Sequence, residues 1–214
     1  MSQGEKPAYQ ERSRATREKI VAALDEALKE KPFDQVSVAE LAERAGVAVG
    51  TVYRRFENKD ALIPVILEIY KQRLETGAAG GAVEIEANDD LREVLRTLMQ
   101  KAWAILAKEA HLLRAVHLYA RLKPELTEDD SWDKYEAQSY QGVEQLITHY
   151  ADHIKRKDLK RASAVAAYFL NAIFLEKGLY PTMSPASHFR YSGKTLADEA
   201  ADMVYAYLQL PERA

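Results

Sequence analysis

Apolar residues recur at three- and four-residue intervals along almost the whole chain, whereas alternating β-branched runs bounded by turn residues are hard to find. That periodicity restricts the chain to an all-α fold. Ile20, Val21, Leu24, Ala27 and Leu28 form a first stripe, and Lys31-Pro32 stops it near Glu30, because the residue before a proline is driven out of helical backbone. Ser37-Val38-Ala39-Glu40 is a capping box opening a short second helix to about Ala45. Gly46 ends it, since a residue without Cβ takes left-handed backbone cheaply. A third helix starts around Ala48 and carries Val49, Val52 and Tyr53 at i, i+3 and i+4 as far as Arg55-Phe56. Asn58 is placed to cap a fourth helix from Lys59, in whose second turn Pro64 predicts a bend.

Further helices are expected at 89–107, 110–122, 128–154, 158–179 and 194–209, with Gly77 to Ala82 as a flexible segment. The functional division falls early: 1–60 as a helix-turn-helix unit preceded by a flexible polar arm over Met1 to Arg17, and 61–214 as a helical body. Asp89-Asp90 and Glu128-Asp129-Asp130 sit at helix starts, where carboxylates serve caps and dipoles rather than paired acid–base chemistry. The amino terminus has no apolar core of a leader, and the longest charge-free apolar stretch, Ala162 to Leu175, falls short of the roughly 20 residues that span a bilayer. With no cysteine in the chain, disulfides and thiolate chemistry are excluded together, and the cytoplasm is the expected compartment.

The chain carries a formal charge of -3, so attraction to a polyanion has to come from a local patch. Residues 44–59 hold Arg44, Arg54, Arg55 and Lys59 against Glu57 alone, and residues 1–19 are also net basic. The rest of the chain is correspondingly acidic. Two short helices joined by a glycine turn, the second poor in acidic side chains, form the arrangement that sets a recognition helix into the DNA major groove.

Ala45-Gly46-Val47-Ala48-Val49-Gly50-Thr51-Val52-Tyr53-Arg54-Arg55-Phe56, followed by Asn58-Lys59-Asp60-Ala61-Leu62, resembles the DNA-binding signature of the TetR family of transcriptional regulators. The likeness extends over about residues 14–65 and includes the Tyr53-x-x-Phe56-x-x-Lys59 spacing. It implies a homodimeric repressor that binds a double-stranded, inverted-repeat operator. It further implies that Val49, Gly50 and Thr51 face the groove while Tyr53, Arg54 and Lys59 meet phosphates or nearby base edges. Gly50 allows close backbone approach, Thr51 and Tyr53 offer hydroxyls, Lys59 is a point charge, and Arg54 or Arg55 has the fork geometry for guanine. Ser37 and Val38 can present backbone amides to a phosphate. Ala48 departs from the serine common at that position, which removes a cap from the recognition helix.

In the body, Ala162 to Leu175 is apolar around most of its circumference, and the last helix adds a second apolar face. The two resemble the helix pair through which the family dimerises, with Val165, Phe169, Ile173, Met203, Val204 and Tyr207 as interface residues. Aromatic side chains crowd the same region, and Trp103, His117, Tyr119, Tyr135, Phe169 and Asn171 are the candidates for an effector site taking a small, mostly apolar or aromatic molecule. Pro64 is a candidate pivot between reading head and body. His149 and His153 have metal-ligand spacing, but the following Lys155, Arg156 and Lys157 repel a cation, so neither a metal nor a cofactor is expected. No nucleophile elbow, zinc-protease helix, phosphate loop or dinucleotide fingerprint is present, and an enzyme is not expected. Two function classes stay open: a ligand-responsive DNA-binding regulator, and an all-helical small-molecule binding or interaction protein that does not read DNA.

Overall fold

The computed structural model describes residues 5–79, 90–126 and 131–211, excepting the side chains of 5–9, 77–79, 126, 131–136, 138 and 139. Among the described residues there are eight α-helices and no strand: α1 (Glu5–Glu30), α2 (Val38–Ala45), α3 (Val49–Tyr53), α4 (Ile63–Ala79), α5 (Leu91–Leu122), α6 (Ser131–His149), α7 (Leu159–Leu179) and α8 (Gly193–Leu208). The chain divides into two compact units, one of Met1–Arg73 with His111–Glu128 and the other of Leu74–Ala110 with Asp129–Ala214.

The first unit is organised by its local signals. Glu30 ends α1, and Ser37 caps α2 by accepting from the Glu40 amide at 3.1 Å. Gly46 adopts φ 64°, ψ 38°, where a Cβ is strained, and lets the Val47 amide turn back to the Ala42 carbonyl at 2.9 Å. Ile20, Leu24, Leu41, Val52, Leu62 and Ile66 are all buried, as are Leu112 and Val116 in the second half of α5, which belongs to the same unit. Within it Asp25 is 7% exposed. Its carboxylate accepts from Arg73 Nη2 at 2.7 Å and from His111 Nε2 at 2.9 Å, tying α1 to α4 and α5, and Lys29 lies 3.5 Å away. Burial pushes Asp25 upward, but these donors win and hold it below its ordinary value.

Four expectations change. The polar segment read as a flexible arm is helical from Glu5, because its charges find partners: Arg14 bonds Glu18 one turn on, Arg17 reaches Glu68 at 2.7 Å and Ser13 receives Arg55. The helices expected at 89–107 and 110–122 are one, since Ala107-Lys108-Glu109-Ala110 contains only strong helix formers. At Pro64 the missing N–H leaves the preceding turn, Asp60–Leu62, in 3₁₀ hydrogen bonding, and α4 begins at Ile63 with the proline in its first turn, where it breaks nothing. The helix expected over 128–154 ends at His149 and gives way to a 3₁₀ turn at Ala151–His153, so His149 and His153 lose their one-face spacing and each packs edge-on to Tyr150. Of the other helix-start acids, Asp90 caps α5 by accepting from the Arg92 and Glu93 amides. Asp89 and residues 128–130 lie outside the described residues, as do 80–82 of the glycine-rich segment.

The second unit is cored by Leu95, Ile147, Ala162, Ala166, Phe174, Ala197, Ala200, Ala201 and Leu208, where alanines on facing stretches of α7 and α8 allow close helix approach. Asp158 and Ser192 cap these helices through the Arg161 and Thr195 amides, both at 3.0 Å. Arg92 clasps Asp202 through two bonds of 2.7 and 2.9 Å, and Gln100 donates to Asp198.

Both an uncapped helix and a buried carboxylate have measurable consequences for stability. Ala48 occupies the N-cap of α3 with extended backbone and no side-chain cap, so Ala48→Ser raises stability by about 1 kcal/mol in urea denaturation. Asp25→Asn lowers stability by about 2 kcal/mol near neutrality, the range for hydrogen bonds to a charged group. A carboxylate depressed in the folded state binds its proton more readily when unfolded, so its contribution is present above the ordinary value of 3.8 and lost as pH falls through the lowered one. Denaturation curves of wild type and Asp25→Asn therefore stay separated above about pH 5 and close progressively as pH falls below about 4 through the lowered value.

Candidate nucleic-acid interface

α3 has five residues and buries one side of them. Val52 is 1% exposed and Phe56, four residues on, 8%, which pins the helix to the first unit's core. The other side is left outward: Val49 is 42% and Tyr53 52% exposed, and Gly50 between them is bare. Large apolar side chains left in water on a short, acid-free helix are the mark of a surface completed by a partner.

Charge around this surface is sorted rather than diffuse. Arg44 is committed to Glu30 through bonds of 2.9 and 2.5 Å and to Glu40, which hold it above its ordinary range. Glu40 also pairs with Lys31. Lys59 donates to the Asp34 carbonyl at 2.8 Å and lies over the Phe33 ring, its ammonium 4.8 Å from the centroid. Burial lowers its pKa. Lys123 pairs with Asp60, and Tyr119 packs edge-on to Phe33 with ring centroids 5.3 Å apart. Two cations remain beside α3. Arg54 Nη2 donates to Thr51 Oγ1 at 3.0 Å, and Arg55 Nη2 donates to Ser13 Oγ at 3.2 Å while its Nε is buried without a hydrogen-bond partner among the described residues.

The residues expected at the interface are thus placed unevenly. Val49, Gly50 and Tyr53 are together on one exposed face, with Thr51 and Arg54 beside them. Ser37 spends its hydroxyl on its own helix, Val38 is half-buried at the start of α2, and Lys59 props the turn before α2. Not foreseen was the contribution of α1: Arg12, Ser13 and Thr16 line a cleft of about 420 Å³ together with Thr51, Arg54 and Arg55. Their spacing along a helix is the signal in the sequence, and it is hidden when that segment is read as an arm.

In the second unit, Val165, Phe169, Met203, Val204 and Tyr207 line an apolar groove of about 200 Å³ on α7 and α8, and Ile173 borders a neighbouring hollow with Phe169 and Met203. Val165 is 44% and Met203 52% exposed, whereas Val204 belongs to the core beneath. The effector candidates are not gathered in either unit. Tyr119 and His117 fall in the first, where burial and then the Arg121 charge lower the His117 pKa. Trp103, Phe169 and Asn171 fall in the second, with Trp103 packed edge-on to Phe174 at 5.7 Å and Phe169 in the apolar groove. The Tyr135 side chain lies outside the described residues.

Residues 20–66, which hold α2, the Gly46 turn and α3, match the model of the bacterial regulatory proteins of the tetR family. The likeness to that family rests on this segment of the chain. Over 51 residues the chain is 45% identical to the uncharacterized HTH-type transcriptional regulator YvdT of Bacillus subtilis, a match covering 24% of this chain and 26% of that protein. Over 102 residues it is 26% identical to the fatty acid metabolism regulator protein of the same organism, covering 48% of this chain and 51% of that one. The matches thus span about a quarter and about half of these relatives' lengths. Among solved structures, a transcriptional regulator from Rhodococcus sp. RHA1 superimposes with a TM-score of 0.62 at 22% identity, over 91% of this chain and 98% of that one. The regulator FadR from Bacillus subtilis in complex with stearoyl-CoA gives 0.59 at 21% identity, over 89% and 98%. At those identities the likeness is one of fold. No helix among the described residues is long and apolar enough to cross a membrane.

Proposed function

We propose that this chain is a TetR-like cytoplasmic repressor that binds an inverted-repeat DNA operator as a homodimer and is released by a small, mostly apolar or aromatic effector, acting by binding rather than catalysis. The observation that carries the reading is the uncovered face of α3, where Val49, Gly50 and Tyr53 stand outward on a helix whose other side is locked into the core. Residues 1–60 hold the reading head and 61–214 the part that pairs and senses. A five-residue helix reads few base pairs, so pairing two copies on half-sites about 34–36 Å apart supplies the missing discrimination. The exposed groove on α7 and α8 supports that pairing. Effector release requires a ligand that binds the DNA-incompetent arrangement more tightly, with couplings of about 1–3 kcal/mol. The resemblance to FadR, whose structure holds stearoyl-CoA, makes long-chain acyl thioesters the first ligands to try.

Selection from a randomised duplex pool against excess competitor DNA enriches one inverted repeat, and Tyr53→Ala abolishes the enrichment without changing thermal stability; retention that depends only on salt, with no enriched sequence, favours the binding-protein class instead. Sedimentation at micromolar concentration gives a dimer for wild type and a shift towards monomer for Val165→Glu with Met203→Glu. A monomeric wild type would refute the pairing. Acyl thioesters and a hydrophobic ligand panel raise the melting temperature and weaken retention on the enriched duplex; no shift across the panel removes the effector from the proposal.

A further inference from the structure

The cleft between α1 and α3 brings together three arginines, Arg12, Arg54 and Arg55, and three hydroxyls, Ser13, Thr16 and Thr51, and among the described residues no acidic side chain lines it. In a chain with 33 acidic residues against 30 basic ones, that is a selective arrangement. Neighbouring cations are neutralised locally: Arg14 by Glu18, Arg17 by Glu68, Arg44 by Glu30 and Glu40. Arg12, Arg54 and Arg55 make no ion pair among the described residues. Like charges held in one cleft repel each other until an anion enters, and guanidinium forks beside hydroxyl donors fit the tetrahedral oxygens of a phosphate.

The same geometry bears on which residues can read bases. Arg55 has one terminal nitrogen bonded to Ser13 and its Nε enclosed, so its fork is not extended towards a base edge. Arg54 is bonded to Thr51, and both line the cleft rather than joining the outward face. That face is left to Val49, Gly50 and Tyr53. We infer that Arg12, Arg54 and Arg55, with Ser13 and Thr51, form one seat for a DNA phosphodiester bridging α1 and α3, and that Arg54 and Thr51 contribute position rather than sequence discrimination. The inference rests on the DNA-binding reading and assigns α1 a share in it. Phosphate contacts fix register and carry no sequence information, whereas groove-facing contacts do.

The test measures affinity from 50 to 200 mM salt for the duplex that wild type selects and for a scrambled duplex of equal length, and repeats the pool selection with each variant. Arg12→Ala and Arg54→Ala weaken both duplexes by the same factor and leave the selected sequence unchanged. Each lowers the salt slope by about 0.9 for every phosphate that the variant no longer neutralises. Arg55→Lys keeps the charge but removes the fork and follows the same pattern, with melting temperature as the control for folding. Gly50→Ala behaves oppositely. A Cβ there meets nothing within 4 Å, so the fold is kept while the selected sequence changes or disappears. A wild type that selects no sequence defeats the DNA-binding reading, and the seat with it. A wild type that selects one, with Arg54→Ala altering that sequence or leaving both affinities untouched, overturns the seat alone. Arg12-dependent binding of inorganic phosphate without any effect of Arg12→Ala on duplex affinity overturns it too, by making the cleft a free-anion site.

Discussion

The exposed face of α3 depends on anchoring a helix too short to hold itself. Isolated helices below about 12–15 residues are marginal in water, and α3 has five. Its conformation is therefore borrowed from what it is pressed against. Val52 and Phe56 supply the anchor, and the Gly46 turn sets the angle at which the chain enters. Because the buried side chains Val52 and Phe56 lie on one side, the opposite side is free to be chosen for contact with another molecule. The same economy explains why α3 tolerates Ala48 without a cap: burial rather than end chemistry keeps it formed.

Electrostatics then separates structural cations from available ones. Lys59 shows the distinction most plainly. It sits where a phosphate ligand is expected, yet its ammonium is satisfied by the Asp34 carbonyl and the Phe33 ring, so its first task is to brace the turn that leads into α2. Arg44 is similarly occupied by two carboxylates. What local charge counting treats as one basic patch is, in three dimensions, a braced frame with a smaller set of guanidinium groups beside α3 that bond hydroxyls and make no ion pair among the described residues.

Legibility in the sequence follows the range of the interaction. Ser37, Gly46 and the Val52 and Phe56 spacing act within four residues, and each is readable from its immediate neighbours in the chain. The all-α class and the family resemblance rest on the same local grammar. Features that depend on partners far along the chain are not readable in this way. Arg17 with Glu68 and Ser13 with Arg55 turn a polar segment into the ordered start of α1, and Asp25 with Arg73 and His111 ties the same helix to α4 and α5; no periodicity announces these pairs. The cleft beside α3 escapes for the same reason, since its two walls are about forty residues apart in sequence. The aromatic side chains of the body are grouped by composition alone, and their neighbours too are set over long range, with Tyr119 against Phe33 and Trp103 against Phe174.

Trp103 has one more neighbour. A Cβ built on Gly193 would fall 1.9 Å from its indole, so the ring lies directly against the backbone that opens α8. Both tryptophans of the chain, Trp103 and Trp132, belong to the second unit, and the first has none. Indole emission is therefore a built-in optical label of one unit. Any movement at the start of α8 changes what the Trp103 ring touches, and the protein carries its own spectroscopic gauge of that junction without a dye or an engineered residue.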